Sequence, residues 1–586
     1  MPTVIFSKLE LESLIEKKLP LEELKDRISM LGTDLEHIEG DEIKVEIFPN
    51  RPDLLSQEGF ARALASFINA KGKTGLKQYN VEKPKKQLIL KNLPPQWPFA
   101  IAFIAKGLNL DAEKVRDLIQ LQEKIGVTML RNRKKGGIGL YPLEKIHFPI
   151  TFEGKNPKDI KFQPLDHNKI LTAKQILEDH KKGKEYGHLM QDWKKYTIFT
   201  DAKKEIMSMP PIINSDIVGK IDTTTKNLFI ECTGNDLKTI TKAINIFASS
   251  LADMGATLEA IEVIGNKTTN NKLIIPDLNP TKMPLDLPRI NKLLGLELTI
   301  KDAKKWLERM GFGVEESKNK DQPATVLIPA YRNDILHSVD LAEDIAIAYG
   351  YENFTPTIPD VATISQPNKR EVFVEKLRNR LIGFGLLEIK NYHLIKNEET
   401  TISMNKPNLD TVKLANSLGD HNTLRPDLIS SLLKTYTINA HHEYPQKIFE
   451  TGRTFNYENK SHSPKNTDTG ILESEHLAVG LCSETADFTA IRQVMDMIAR
   501  ETDTKLEIKE PTTQSQKTLY PEFIQGRVGE IILTQTISKT KQKSVSIGKL
   551  GEIHPQVLDN WGIKMPIVAL ELNVELLLKA VQQNNK

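Results

Sequence analysis

The chain has 586 residues and a mass of 66.2 kDa, too long for a single hydrophobic core, so about four domains are expected. Its 80 basic and 77 acidic residues leave a net charge of +3, which excludes a wholesale nucleic-acid coat while leaving room for local basic patches. The only cysteines, Cys232 and Cys482, exclude a disulfide framework or a cysteine zinc site, and no run approaches a membrane span. A cytoplasmic protein fits this usage, since the charged, amphipathic start MPTVIFSKLELESLIEKK lacks the form of a signal peptide.

The first segment, 1–82, carries Leu24, Ile28 and Leu31 at helical spacing, then the strand IKVEIF and a turn at Asn50-Arg51-Pro52-Asp53. Pro52 fixes the backbone of that turn and Asp53 can bond nearby amides. The polar stretch KQYNVEKPKKQ reads as a linker. Residues 88–265 mix α and β. AFIAKGLNL predicts a strand, AEKVRDLIQLQEKIG a helix, NLFIECTG a strand, and LKTITKAINIFASSLADMG a helix stopped at Gly255. Gly136, Gly137 and Gly139 invite comparison with a phosphate loop, but the spacings of such loops are absent. The run Arg131, Arg133, Lys134, Lys135 fits a solvated turn better than a phosphate contact.

GNKTTNNK reads as a linker into the segment 272–356, whose helix after Thr299 aligns Ala303, Trp306, Leu307 and Met310, with Asp302 completing a capping box. The segment ends in YRNDILHSVDLAEDIAIAYGY. From Ser338, a candidate N-cap, Leu341, Ile345, Ala348 and Tyr349 form an apolar stripe, with Gly350 as the stop. Asp340, Glu343 and Asp344 share the opposite face, and Asp334 could fold back towards it. Such oxygen donors suit a hard cation such as Mg²⁺, although acids also gather at helix starts to complement the dipole. Ile347, beside the acids on the wheel, suggests that something covers this face.

Residues 360–586 open with the helix REVFVEKLRNRLIGFG and continue through strands such as LEIKNYHLI, KIFETGRTF and HLAVGLC. Few parallel βαβ signals are present, so an antiparallel sheet flanked by helices is expected and the class is α+β. The chain also repeats itself. NRPDLLSQEGFARALA at 50–65 matches YRNDILHSVDLAEDIA at 331–346 without a gap, and the similarity extends upstream through PLEELKDRISMLG and IKDAKKWLERMGFG. One helix-turn-helix-like unit is therefore used twice. What the copies share should be fold. At the places of Asp340, Glu343 and Asp344 the first copy has Gly59, Arg62 and Ala63, so any ion site belongs to the second.

Across its full length the chain resembles the β subunits of phenylalanyl-tRNA synthetases of the archaeal and eukaryotic type. The matching segments are NRPDLLSQEG, PPIINSD, KNLFIECTGND, PAYRNDILHSVDLAEDIAIAYGY, NSLGDHNTLRPDLISSLL, KIFETGR and GKLGEIHP. The resemblance implies an α2β2 heterotetramer that joins phenylalanine to tRNA(Phe), with ATP and phenylalanine bound at the α subunit. It implies Mg²⁺ on Asp334, Asp340, Glu343 and Asp344. It also implies an editing domain over 88–265 that hydrolyses mischarged tyrosyl-tRNA. A hydroxyl-reading group is needed there, with Asn214, Ser215, Thr233 and Asp236 as candidates. Histidines expected before RNRKK and within the GIG loop are replaced by Gly126 and Tyr141, which puts editing in doubt. The last domain resembles a class II synthetase domain without catalytic motifs. Glu450 and Arg453 stand in the wrong order, no glycine-rich arginine helix follows GKLGEIHP, and Arg425 is expected to order the fold. The alternative is a stand-alone nucleic-acid-binding protein built on the paired modules, against which the acids on the second copy weigh.

Overall fold

The repeat is a repeat of structure. In the computed structural model, which describes residues 2–265, 272–316, 323–360, 364–458, 468–511, 520–538 and 541–584, both copies have the same order of elements. The first runs strand Thr3–Ser7, helices Lys8–Ile15 and Leu21–Met30, strands Asp34–Glu39 and Glu42–Glu46, and helix Gln57–Phe67. The second runs strand Thr281–Pro284, helices Leu287–Leu294 and Ile300–Arg309, strands Gly313–Glu315 and Thr325–Ile328, and helix Ser338–Tyr349. In each three-stranded sheet the last strand lies between the first two. The register found in the sequence reaches the helix caps, because Ser56 and His337 occupy matching positions and each caps its helix. The cap of the acidic helix is thus His337 rather than Ser338. Asp340 completes the box by accepting from the His337 and Leu336 amides at 2.6 and 2.7 Å. The Thr299–Asp302 box and the stop at Gly350 (φ 96°) form as expected.

Between the copies lies a ten-stranded mixed sheet. Its strand Val81–Lys91 pairs in parallel with Thr257–Ile264 on one side and Ile150–Lys155 on the other. The polar stretch expected as a linker therefore runs into a strand. Lys83 and Lys85 stand in solvent while the backbone of the strand pairs with both neighbours, so low hydrophobicity hid a well-paired element. The linker GNKTTNNK falls mainly outside the described residues. The glycines 136, 137 and 139 lie within the strand Gly136–Pro142. Of the basic run before them, Arg133 is half-buried, donates to the carbonyls of Pro211 and Ile212 at 3.0 and 2.9 Å and lies over the Tyr186 ring, whereas Arg131 and Lys134 are exposed.

Met1–Ile358 and Pro359–Lys586 are two compact units. In the first, both copies and the large sheet contribute to one continuous core, to which Val4, Phe103, Ile244 and Ile345 belong. In the second, seven strands form a sheet that is antiparallel except for the short edge strand Leu387–Glu388. The expected strand LEIKNYHLI is split into Leu387–Glu388 and Leu394–Lys396. Helices Lys369–Gly383, Phe488–Glu501 and Val574–Asn584 pack apolar side chains against this sheet. The class is α+β.

Arg425 is wholly inside this second unit. Its guanidinium donates to Glu450 at 2.6 Å and to the Arg453 carbonyl at 3.0 Å, while Asn391 also donates to Glu450. Removing one member of a buried ion pair leaves the other charge uncompensated, at a cost of about 3–5 kcal/mol. Denaturant unfolding of Arg425→Met should show that loss in the second unit's transition, and adding Glu450→Met should recover most of it. A single variant within 1 kcal/mol of the parent would rule this role out.

Candidate functional site

Two regions hold the side chains singled out in the sequence. The first is the acidic helix. Arg51 and Arg332 occupy matching positions, and each forks onto the aspartate two residues on. Arg51 Nε and Nη2 donate to Asp53 at 2.9 and 2.9 Å, and Arg332 Nε and Nη2 donate to Asp334 at 2.9 and 2.6 Å. Arg332 Nη2 also donates to Asp344 at 2.6 Å. Asp344 is 2% exposed and lies inside the unit, not on a solvent face opposite the stripe. The first copy and the Arg332 turn cover that side of the helix, and Ile347 packs there within the chain, close to Gly32. Burial pushes the Asp344 carboxyl up to about 6, against the pull of Arg332, whereas Arg332 and Arg51 hold Asp334 below the usual range despite its burial.

The four acids are therefore divided. Asp334 and Asp344 meet on one guanidinium, Asp340 accepts two amides at the cap, and Glu343 is exposed. Among the described residues no three acids, histidines or cysteines are grouped so as to hold a metal. Magnesium needs oxygens that are not already neutralised, and Arg332 neutralises two of these, so the arrangement in this chain does not fit the ion. The first copy could not carry the set either. A Cβ on Gly59, the counterpart of Asp340, would stand 2.1 Å from the Asp53 carbonyl.

The second region is a cavity of about 600 Å³ beside the large sheet, within the range of small-ligand sites. Of the four candidates for reading a hydroxyl, the structure brings Asn214 to its wall. Ser215 is buried and accepts from the Ile217 amide, and Asp236 caps the helix Leu237–Asp253. Thr233 is buried with no partner for its hydroxyl. The residue that sequence reasoning missed is Glu231, which also lines the cavity. It is 2% exposed, and burial pushes its carboxyl up to about 8, so at neutral pH it is mostly protonated and can donate as well as accept. The signal was available, because a lone acid inside the apolar run LFIECTG must be either paired or put to use. Tyr141, which stands where a histidine was expected, reaches the same spot. Its hydroxyl is 2.7 Å from Ser208 Oγ and 3.3 Å from both Asn214 Oδ1 and Glu231 Oε1.

The comparisons with known proteins place this duplicated module and antiparallel sheet in the class of aminoacyl-tRNA synthetase subunits. Residues 283–351 match the tRNA synthetase B5 domain, and 355–574 match the phenylalanyl tRNA synthetase beta chain CLM domain. The phenylalanine–tRNA ligase beta subunit of Pyrococcus abyssi is 35% identical over 579 residues, covering 98% of this chain and 99% of the relative. That of Methanosphaera stadtmanae is 32% identical, again over 98% and 99%. A crystal structure of an N-terminal fragment of the phenylalanyl-tRNA synthetase beta subunit from Pyrococcus horikoshii is 36% identical, with a TM-score of 0.56. It covers 60% of this chain and 100% of the fragment. The chain belongs to the family of phenylalanine–tRNA ligase beta subunits.

The raised carboxyls give a pH test. Glu231 and Glu58 are both pushed up to about 8 by burial and Asp117 to about 6, so between about pH 4 and 8 the folded chain binds more protons than the unfolded one. Stability should be greatest near the low end of that window and fall as pH rises through 8. Thermal melts from pH 6 to 9 should show the decline, and Glu231→Gln together with Glu58→Gln should flatten it. A melting temperature that rises over that range would contradict the assignment.

Proposed function

We propose that the chain is the non-catalytic half of the ligase. It assembles with an α subunit as α2β2, and the α subunit binds ATP and phenylalanine and charges tRNA(Phe). The observation that carries this reading is how the second unit's buried cations are spent. Arg425 is held by Glu450, Lys406 by Glu522 and Asp427 at 2.8 and 3.2 Å, and Lys549 by Glu522 at 2.6 Å. Adenylate formation needs positive groups aimed at the charge developing on phosphate, and cations already neutralised cannot supply them. The chain alone should therefore exchange no pyrophosphate into ATP in the presence of phenylalanine, while the complex with α does. Exchange by the isolated chain would refute the division of labour.

The cavity at Glu231 is the proposed editing site. A pocket that admits tyrosine and rejects phenylalanine must leave a buried polar group unpaired when the hydroxyl is missing. Glu231 meets that requirement better than Ser215 or Asp236, which are engaged in local turns, and Asn214 flanks it. The complex should hydrolyse tyrosyl-tRNA(Phe), and Glu231→Ala should slow this by at least 100-fold while leaving phenylalanylation intact. Hydrolysis no faster than in buffer would remove the editing reading.

Magnesium on Asp334, Asp340, Glu343 and Asp344 is supported by the family resemblance and not by the arrangement in this chain. The reading proposed is that the ion belongs to the assembled enzyme. Calorimetric titration with Mg²⁺ should find no site of millimolar or tighter affinity on the chain alone and a site on the complex. Binding of equal strength to both would contradict it.

A further inference from the structure

Glu231 is only half satisfied. Its Oε1 has Tyr141 as a partner, whereas Oε2 is shielded from solvent without any hydrogen-bond partner. An orphaned oxygen of this kind is costly to bury, and a purely structural glutamate would be expected to bond both. The geometry around the satisfied oxygen is unusually determined. Tyr141 and Glu231 lie on neighbouring antiparallel strands, where Phe229 faces Tyr141 and Glu231 faces Gly139. A Cβ on Gly139 would stand 2.4 Å from Glu231 Oε1 and 2.6 Å from the Tyr141 hydroxyl. The absent side chain is what lets the phenol cross to the carboxyl. On its other side the phenol is fixed by Ser208 Oγ at 2.7 Å, and its ring is packed by Phe229 at 5.8 Å. Tyr141 itself is fully buried, so its rotamer is set by the core.

We propose that Tyr141 is the positioning residue for hydroxyl recognition in this cavity: it occupies Oε1 of Glu231 and so leaves Oε2, which has no partner in the chain, as the carboxyl oxygen to which a ligand hydroxyl bonds. This inference rests on reading the cavity as one that takes a tyrosyl group. The phenol of Tyr141 is an internal copy of the group to be recognised, already bound at Oε1. The substitution of tyrosine for the expected histidine then does not abolish discrimination. It restricts Glu231 to one orientation and one further partner. Freed of that partner, the carboxyl could turn to Asn214 or Ser208 and satisfy itself without a ligand, and a ligand hydroxyl would gain no bond over a ligand lacking one.

The test is a binding selectivity, separate from hydrolysis. Tyrosine amide and phenylalanine amide are titrated calorimetrically into the full chain without α, as the parent, as Tyr141→Phe and as Phe229→Leu. The parent should prefer tyrosine amide. Tyr141→Phe, which keeps the ring, should lower the tyrosine-to-phenylalanine affinity ratio about 10-fold. Phe229→Leu loosens the packing but keeps the hydroxyl, and should weaken both ligands alike with the ratio unchanged. Melting curves confirm that each variant is folded. A parent without preference, or a Tyr141→Phe ratio equal to the parent's, overturns the proposal. A preference that behaves as expected in a complex that hydrolyses no tyrosyl-tRNA overturns the editing reading alone and leaves this one standing.

Discussion

The first unit turns on one interaction used twice, a buried arginine forked onto the aspartate two residues later. Charges of this kind are tolerable inside a protein only when paired with good geometry. Arg51 with Asp53 and Arg332 with Asp334 satisfy that condition in the same way, with both side-on nitrogens engaged. Each pair also feels the other, since Arg51 lowers the Asp334 carboxyl and Asp53 favours the charged form of Arg332. Nearby, Arg62 of the first copy lies 3.8 Å over the Tyr331 ring of the second. Arg309 of the second donates to the Phe67 carbonyl of the first at 3.0 and 2.6 Å. The copies thus hold one another through these helix residues and through the field between their turns.

This explains why the repeat was legible in the sequence and the fate of its acids was not. Gap-free matches such as Arg51 with Arg332 and Asp53 with Asp334 follow from a shared backbone, and a shared backbone needs the same pair in both places. By the same logic Asp334 belonged with the fold, as a residue common to both copies. Asp344 was harder, because a helical wheel shows which residues share a face but not what covers it. Only the tertiary packing places Arg332 against that face. The first half of the strand Val81–Lys91 was hidden for a related reason, since its pairing is made by the backbone and the side chains from Glu82 to Gln87 are mostly polar.

The cavity beside the large sheet shows the complementary failure. Asn214 was visible because it sits in a segment the family shares. Glu231 lies in another such segment, KNLFIECTGND, but was passed over for residues with more familiar polar roles. Asp236 and Ser215 looked functional for their chemistry and proved local, as turn and cap residues often are. A carboxyl amid LFIECTG has no local partner to account for it, and the cost of burying it points to use. In the second unit the same accounting runs the other way. Every cation named there is matched by an acid.

The two Arg-x-Asp turns form a single electrostatic junction between the copies. A double-mutant cycle with Arg51→Met and Arg332→Met in the full chain, followed through the unfolding of the first unit, tests it most directly. Each substitution alone should cost about 3–5 kcal/mol, and the double variant should depart from the sum by at least about 1 kcal/mol. Costs that add to within about 0.3 kcal/mol would show two independent ion pairs and contradict the junction.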